Sequence, residues 1–258
     1  MLLSVDNIQK SFPLHGGLFF RRRQEILRGV SFELHAGECL GIVGESGSGK
    51  STLGRIILGI EKPDSGRIVM SEEMRELPRH QAMSVVFQDY LTSVNPRFTV
   101  LQIITEPLLR SALTVAERTQ RALQLLDEVG LPEEMLNRHP HQLSGGQLQR
   151  VCIARAIAPD PRFILFDEAV SSLDVSVQVK VLNLLLEIKR SRKLTFLFIT
   201  HDITVAAYMC DRLIFFNEGT VVEELRDLSR LHDVEHEYTR QLLEAASYLE
   251  IPYDYCPA

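Results

Sequence analysis

The chain has 258 residues, 45% hydrophobic and 24% charged, enough to bury one sizeable α/β core with room for an inserted lobe. A formal net charge of -6 without a broad basic stripe argues against nucleic acid as a main partner. No apolar run approaches the eighteen or so residues of a membrane span, so any work at a membrane requires other chains to hold this one there.

The opening "MLLSVDNIQK" meets Asp6 too early for the apolar core of a signal peptide. Short β-branched runs then recur as predicted strands: "SVDNI", "VSFEL", "CLGIVG", "RIVM", "SVVF", "FILF", "TFLFIT", "RLIFF" and "TVVEE". Helical patterns alternate with several of them, at Lys50 to Ile60, Val177 to Arg190 and Ile203 to Cys210. That alternation predicts a largely parallel sheet covered on both faces. Between the first two strands, "GGLFFRRRQE" (Gly16 to Glu25) reads as a long hairpin loop with a solvated basic tip.

After "CLGIV" comes "GESGSGKS", Gly44, Glu45, Ser46, Gly47, Ser48, Gly49, Lys50 and Ser51, and then the helix starting at Thr52. A strand, a glycine-rich turn and a helix in that order form a phosphate-binding loop. The glycines free backbone N–H groups to wrap phosphates, Lys50 reaches the β- and γ-phosphates, the Ser51 hydroxyl ligates Mg²⁺, and Thr52 lies by the α-phosphate. The chemistry therefore implies a nucleotide's phosphate chain with Mg²⁺. "SVVFQD" puts Gln88 at a strand end, where a neutral amide can touch metal or water.

From about Thr99 to His141 strand signals vanish, and a helical period runs with breaks at Pro107 and Thr114, which predicts an inserted helical lobe. It ends at "LSGGQLQR" (Leu143 to Arg150), where a serine and two glycines open a helix, as in an anion cradle, but without a lysine. "FILFDE" follows, an apolar strand whose end carries two carboxylates. Asp167 is placed to hold the Mg²⁺ shell through water, and Glu168 to act as general base on an attacking water. "FLFITHD" ends in His201, placed to hydrogen-bond a γ-phosphate. The end, "EHEYTRQLLEAASYLE", reads as an amphipathic helix and "IPYDYCPA" as a tail.

Cys39, Cys152, Cys210 and Cys256 form no CxxC pair and read as reduced thiols of a cytosolic protein. His139 and His141 read as plain loop. His232 and His236 have the i,i+4 spacing of one helix face, read as solvated.

The order of these motifs, with "SLD" before the last helices, resembles the ATPase subunit of ATP-binding cassette transporters over nearly the whole chain. The resemblance implies a phosphate-loop NTPase core with a mostly parallel sheet, an antiparallel β subdomain and an inserted helical subdomain. It divides a single ATPase domain into core and β subdomain (1–88 and 160–230), helical subdomain (89–159) and C-terminal helix and tail (231–258). It also implies that the nucleotide is ATP, and that Ser144, Gly145, Gly146 and Gln147 bind the γ-phosphate of an ATP held by another subunit. The lysine absent from the second cradle is then supplied by that subunit's own phosphate loop. Phe12 would lie under the adenine ring, with Phe19 or Phe20 as competitors, and the loop "SSLD", ending at Asp174, would cross the dimer interface.

"SVNPRFTV", "HPHQLSGGQLQR" and "HEYTRQLL" are similar to the oligopeptide, dipeptide and nickel importer group. "DEAVSSLD" in place of the usual "DEPTSALD" leans toward nickel or metal-chelate importers. The resemblance implies a second, related ATPase chain, two permease subunits, a solute-binding protein acting indirectly, and a peripheral position on the cytoplasmic face of the membrane. Its rivals are a soluble cassette ATPase of translation or DNA repair, a nucleotide-binding regulator without turnover, and an exporter ATPase.

Overall fold

The computed structural model describes residues 1–13 and 23–247. In chain order the elements are β1 (Leu3–Pro13), β2 (Arg23–Leu34), β3 (Cys39–Val43), α1 (Lys50–Ile57), β4 (Ser65–Met70), α2 (Glu72–Glu76), α3 (Arg79–Ala82), β5 (Met83–Phe87) and α4 (Val100–Thr105). They continue with α5 (Val115–Glu128), α6 (Gly145–Ile157), β6 (Phe163–Asp167), α7 (Val175–Arg192), β7 (Thr195–Thr200), α8 (Ile203–Met209), β8 (Arg212–Asn217), β9 (Thr220–Leu225) and α9 (Glu237–Ser247). The chain forms two compact units, residues 1–75 with 195–258, and residues 76–194.

In the first unit β3 lies between β7 and β8, parallel to both, and β9 adds antiparallel to β8. Strands β3 and β7 are buried along their whole length, which is why they read as unbroken apolar runs. Phe196, Phe198, Phe215 and Phe216 are closed off from solvent in this core. A separate antiparallel sheet runs β2–β1–β4. Along β1 and β2 buried residues alternate with more exposed ones, as in a sheet with one wet face. β1 and β2 extend beyond "SVDNI" and "VSFEL", and β2 includes Arg23 to Glu25 of the expected hairpin loop. The remainder of that loop, with Phe19 and Phe20, lies outside the described residues, as do the tail and Cys256.

The second unit pairs β5 parallel to β6 and packs α6 against β5, α4, α5 and α7. The stretch expected to be helical holds α4, a 3-10 turn carrying Pro107, α5, and further 3-10 turns at Glu133–Met135 and Pro140–Gln142. Thr99 and Thr114 cap α4 and α5 through reciprocal hydrogen bonds with Gln102 and Glu117. Arg192 at the end of α7 holds Glu128 of α5 at 2.6 Å and also reaches Asp160, which Arg121 holds at 2.5 Å.

Candidate functional site

In the first unit, the turn from β3 to α1 is shaped by close backbone approach. A Cβ on Gly44 would stand 2.0 Å from the Phe216 carbonyl oxygen of β8. Gly49 caps α1 at φ +108, where a side chain would also run into the Ile26 carbonyl oxygen. Lys50, 3% exposed, turns its ammonium back over the loop. It donates to the carbonyls of Gly44 and Glu45, both at 2.7 Å. Ser51 and Thr52 sit half-buried in the first turn of α1, while Glu45, Ser46 and Gly47 are exposed at the tip.

From the far side, the Gly219 N–H donates to the Ser48 carbonyl at 3.0 Å. Register aligns Val43 with Thr200, so Gly44 and the exposed His201 follow neighbouring parallel strands at the same sheet edge. Phe12 stands on β1, 38% exposed, with the Lys10 ammonium 5.1 Å from its ring centroid.

In the second unit Phe87 aligns with Asp167, so the exposed Gln88 and the half-buried Glu168 follow side by side at the ends of β5 and β6. Asp167 is buried. Glu168 has φ +49, a left-handed backbone that costs a branched or long side chain free energy and concentrates at functional positions. Two neighbours hold it there. Ser171 donates from its hydroxyl to the Glu168 carbonyl at 2.9 Å, and the fully buried Gln149 donates to the Ala169 carbonyl at 2.6 Å.

Ser144 caps α6, accepting from the Gln147 N–H, while the Gln147 side chain accepts from the Ser144 N–H at 2.9 Å. The two glycines are dictated by packing. A Cβ on Gly145 would meet the Tyr90 hydroxyl at 2.6 Å, and one on Gly146 would meet Val177 at 2.5 Å. Ser144 takes up one N–H of the first turn of α6, and the glycines beside it bring backbone without side chains to the helix start, the kind of terminus that anion recognition uses. Asp174 caps α7, where hydrogen bonds from the Val177 N–H and the Ser176 hydroxyl hold its carboxyl below the usual range.

The sequence-predicted site residues therefore fall on both units: Phe12, the phosphate loop and His201 on the first, and Gln88, Asp167, Glu168, the second cradle and Asp174 on the second. Gly219, Gln149 and Tyr238 were not singled out from sequence, and Ser171 was read only as the start of the "SSLD" loop. Only the turn glycine after "FFNE" and the tyrosine of "HEYTRQLL" offered a signal. One spacing argument is corrected. His232 lies in the 3-10 segment Leu228–Asp233 and His236 precedes α9, so the two do not share a helix face, and no metal-holding cluster occurs among the described residues.

The sequence profile of ABC transporters matches residues 27–171, from β2 through the phosphate loop and second cradle to Ser171. The chain belongs to the ABC transporter family. It is an ATP-hydrolysing subunit of the importer type. It is 44% identical over 247 residues to the metal-staphylopine import system ATP-binding protein CntF of Staphylococcus aureus (strain NCTC 8325 / PS 47), covering 94% of this chain and 98% of that one. Identity is 37% to the oligopeptide transport ATP-binding protein OppF of Lactococcus lactis subsp. lactis (strain IL1403), covering 97% and 82%. Among solved structures, the dimeric bacterial ABC transporter cassette MJ0796 superposes with a TM-score of 0.75 at 32% identity, covering 86% of this chain and 97% of that one. The phosphate-loop α/β fold expected from sequence agrees with that ABC fold.

Proposed function

We propose that this ABC ATPase drives uptake of a metal chelate through two permease subunits, paired with a second, related ATPase chain on the cytoplasmic face of the membrane. A solute-binding protein would act on the permeases rather than on this chain. The observation that carries the reading is that one chain holds a lysine-bearing phosphate loop and, separately, a lysine-free cradle at the N-terminus of α6. By its likeness to the ABC family, a nucleotide held by the first would close against the cradle of a second chain. Near full-length similarity to a metal-staphylopine import ATPase favours a chelate as solute, with peptides second.

In this reading Lys50 and the amides of Gly47 to Thr52 bind the ATP phosphates, and Phe12 stacks on the adenine. Glu168 takes the proton of the attacking water. His201 holds the γ-phosphate, and Ser144 to Gln147 close on the partner's nucleotide. The Ser51 hydroxyl, the Gln88 amide and the Asp167 carboxylate bear oxygens of the kind that would hold Mg²⁺, which when bound would neutralise charge on the β- and γ-phosphates.

The test is ATP-driven uptake into proteoliposomes holding the permeases and both ATPase chains, with a metal chelate in one arm and an oligopeptide in the other. Lys50→Ala is expected to weaken ATP binding and abolish uptake, because the phosphate charge then lacks its mobile cation. Normal uptake by this variant would show the loop to be structural.

A further inference from the structure

The C-terminal helix α9 carries a group that the proposed reaction does not use. Tyr238, in its first turn, accepts a hydrogen bond at its hydroxyl oxygen from the Glu45 N–H at 3.0 Å. That N–H belongs to the peptide unit joining Gly44 to Glu45. The carbonyl of the same unit accepts from the Lys50 ammonium at 2.7 Å. In a trans peptide the N–H and C=O lie in one plane and point opposite ways, so holding one fixes the direction of the other. We propose that Tyr238 is a positioning residue for Lys50: by gripping the Gly44–Glu45 peptide it sets the carbonyl on which the ammonium rests.

Three features support this. The helix is moored close to its tyrosine. Glu223 of β9 accepts from the N–H groups of Glu235 at 2.8 Å and His236 at 3.3 Å, and His236 Nδ1 accepts from the Tyr238 N–H at 3.2 Å. Burial pushes the Tyr238 hydroxyl above its ordinary value, so it stays neutral around pH 7 and places no negative charge beside the phosphates. The tip from Glu45 to Gly47 is exposed, and Gly47 has open space around it. Tyr238 supplies a contact where the strand core offers no packing. The "HEYTRQLL" segment thereby acquires a task, tying the C-terminal helix to the phosphate loop.

The inference rests on the phosphate-loop reading, and a double-mutant cycle separates the two. Mg·ATP affinity is measured by calorimetry on the full chain for the wild type, Tyr238→Phe, Lys50→Ala and the double variant. Gln241→Ala, on the exposed face of α9, serves as control. Loss of one hydrogen bond is expected to weaken ATP binding roughly twofold to tenfold in Tyr238→Phe. In turnover assays KM should rise with kcat within about twofold, and Gln241→Ala should match the wild type. In the Lys50→Ala background the Tyr238→Phe change is expected to cost nothing further. Wild-type affinity in Tyr238→Phe, or the same loss with and without Lys50, overturns the positioning role. If Lys50→Ala alone binds ATP normally, it is the phosphate-loop reading that fails.

Discussion

At the residue scale, the glycines of this chain divide by what stands opposite them. Gly47 has φ +84 and nothing within 4 Å of its would-be Cβ, so alanine there meets only backbone strain. Gly219 has φ +81, and a Cβ would stand 2.3 Å from the Ile26 carbonyl oxygen, so alanine must also push a backbone aside. Gly47→Ala is expected to cost about 1–2 kcal/mol, and Gly219→Ala about 2–4 kcal/mol, in urea unfolding. Equal costs would mean that the turn before β9 yields freely. Since Gly219 also donates to Ser48, its variant should weaken ATP binding as well. The motif glycines were legible in the sequence because their spacing is fixed by phosphate geometry. Gly219 was not, because its partner Ile26 lies far away in the chain. Glu168 was legible as a carboxylate at a strand end, but its left-handed backbone was not, because Gln149, twenty residues from the Ala169 carbonyl it holds, helps to fix that turn through a contact that no local pattern encodes.

At the element scale, the buried strands were read almost to the residue because being apolar on both faces leaves an unbroken run. β1 was cut short because its register shifts between Val5 and Ile8, around the left-handed Asn7, and because its later residues alternate with polar ones. The first helix was read through to Ile60, yet it stops at Ile57, where Gly59 turns left-handed and donates back to the Ile56 carbonyl. Helices α2 and α3 are too short to show a period. What joins elements is also silent in sequence. Arg212 of β8 donates to Glu38 and to Glu224 of β9, both at 2.7 Å, and to the Glu33 carbonyl of β2 at 2.5 Å. Burial pushes the Glu224 carboxyl up, but Arg212 and Arg226 outweigh it and hold the group below its ordinary value. A carboxyl depressed in the folded state contributes stability above its unfolded value and loses that contribution as pH falls through the folded one. Arg212→Met is therefore expected to cost about 2 kcal/mol at pH 7. The gap in Tm from the wild type should narrow below about pH 4. A gap independent of pH would assign the loss to packing rather than to charge.

At the scale of the whole molecule, the chain presents two glycine-rich helix starts, one at α1 with a lysine and one at α6 without. In the proposed function each meets its counterpart on a second chain across a shared ATP. Glu168→Gln keeps the shape and hydrogen-bonding capacity of the carboxylate but is no useful base. A positioned general base contributes on the order of a hundredfold to ten-thousandfold, so turnover should fall by that scale while ATP still binds. With hydrolysis blocked, ATP bridging Lys50 of one chain and the cradle of the other should accumulate a closed pair with the partner ATPase, scored by size-exclusion chromatography in ATP and Mg²⁺. Ser144→Arg should then release it. The larger side chain fills the mouth of the cradle, and it also removes the cap that Ser144 provides to the Gln147 N–H. Ser144→Ala separates these effects, since it loses the cap without adding bulk; it should weaken the trapped pair far less than arginine does. A pair that persists in Ser144→Arg, with ATP still bound opposite the altered cradle, would mean that the N-terminus of α6 does not bind the partner's nucleotide.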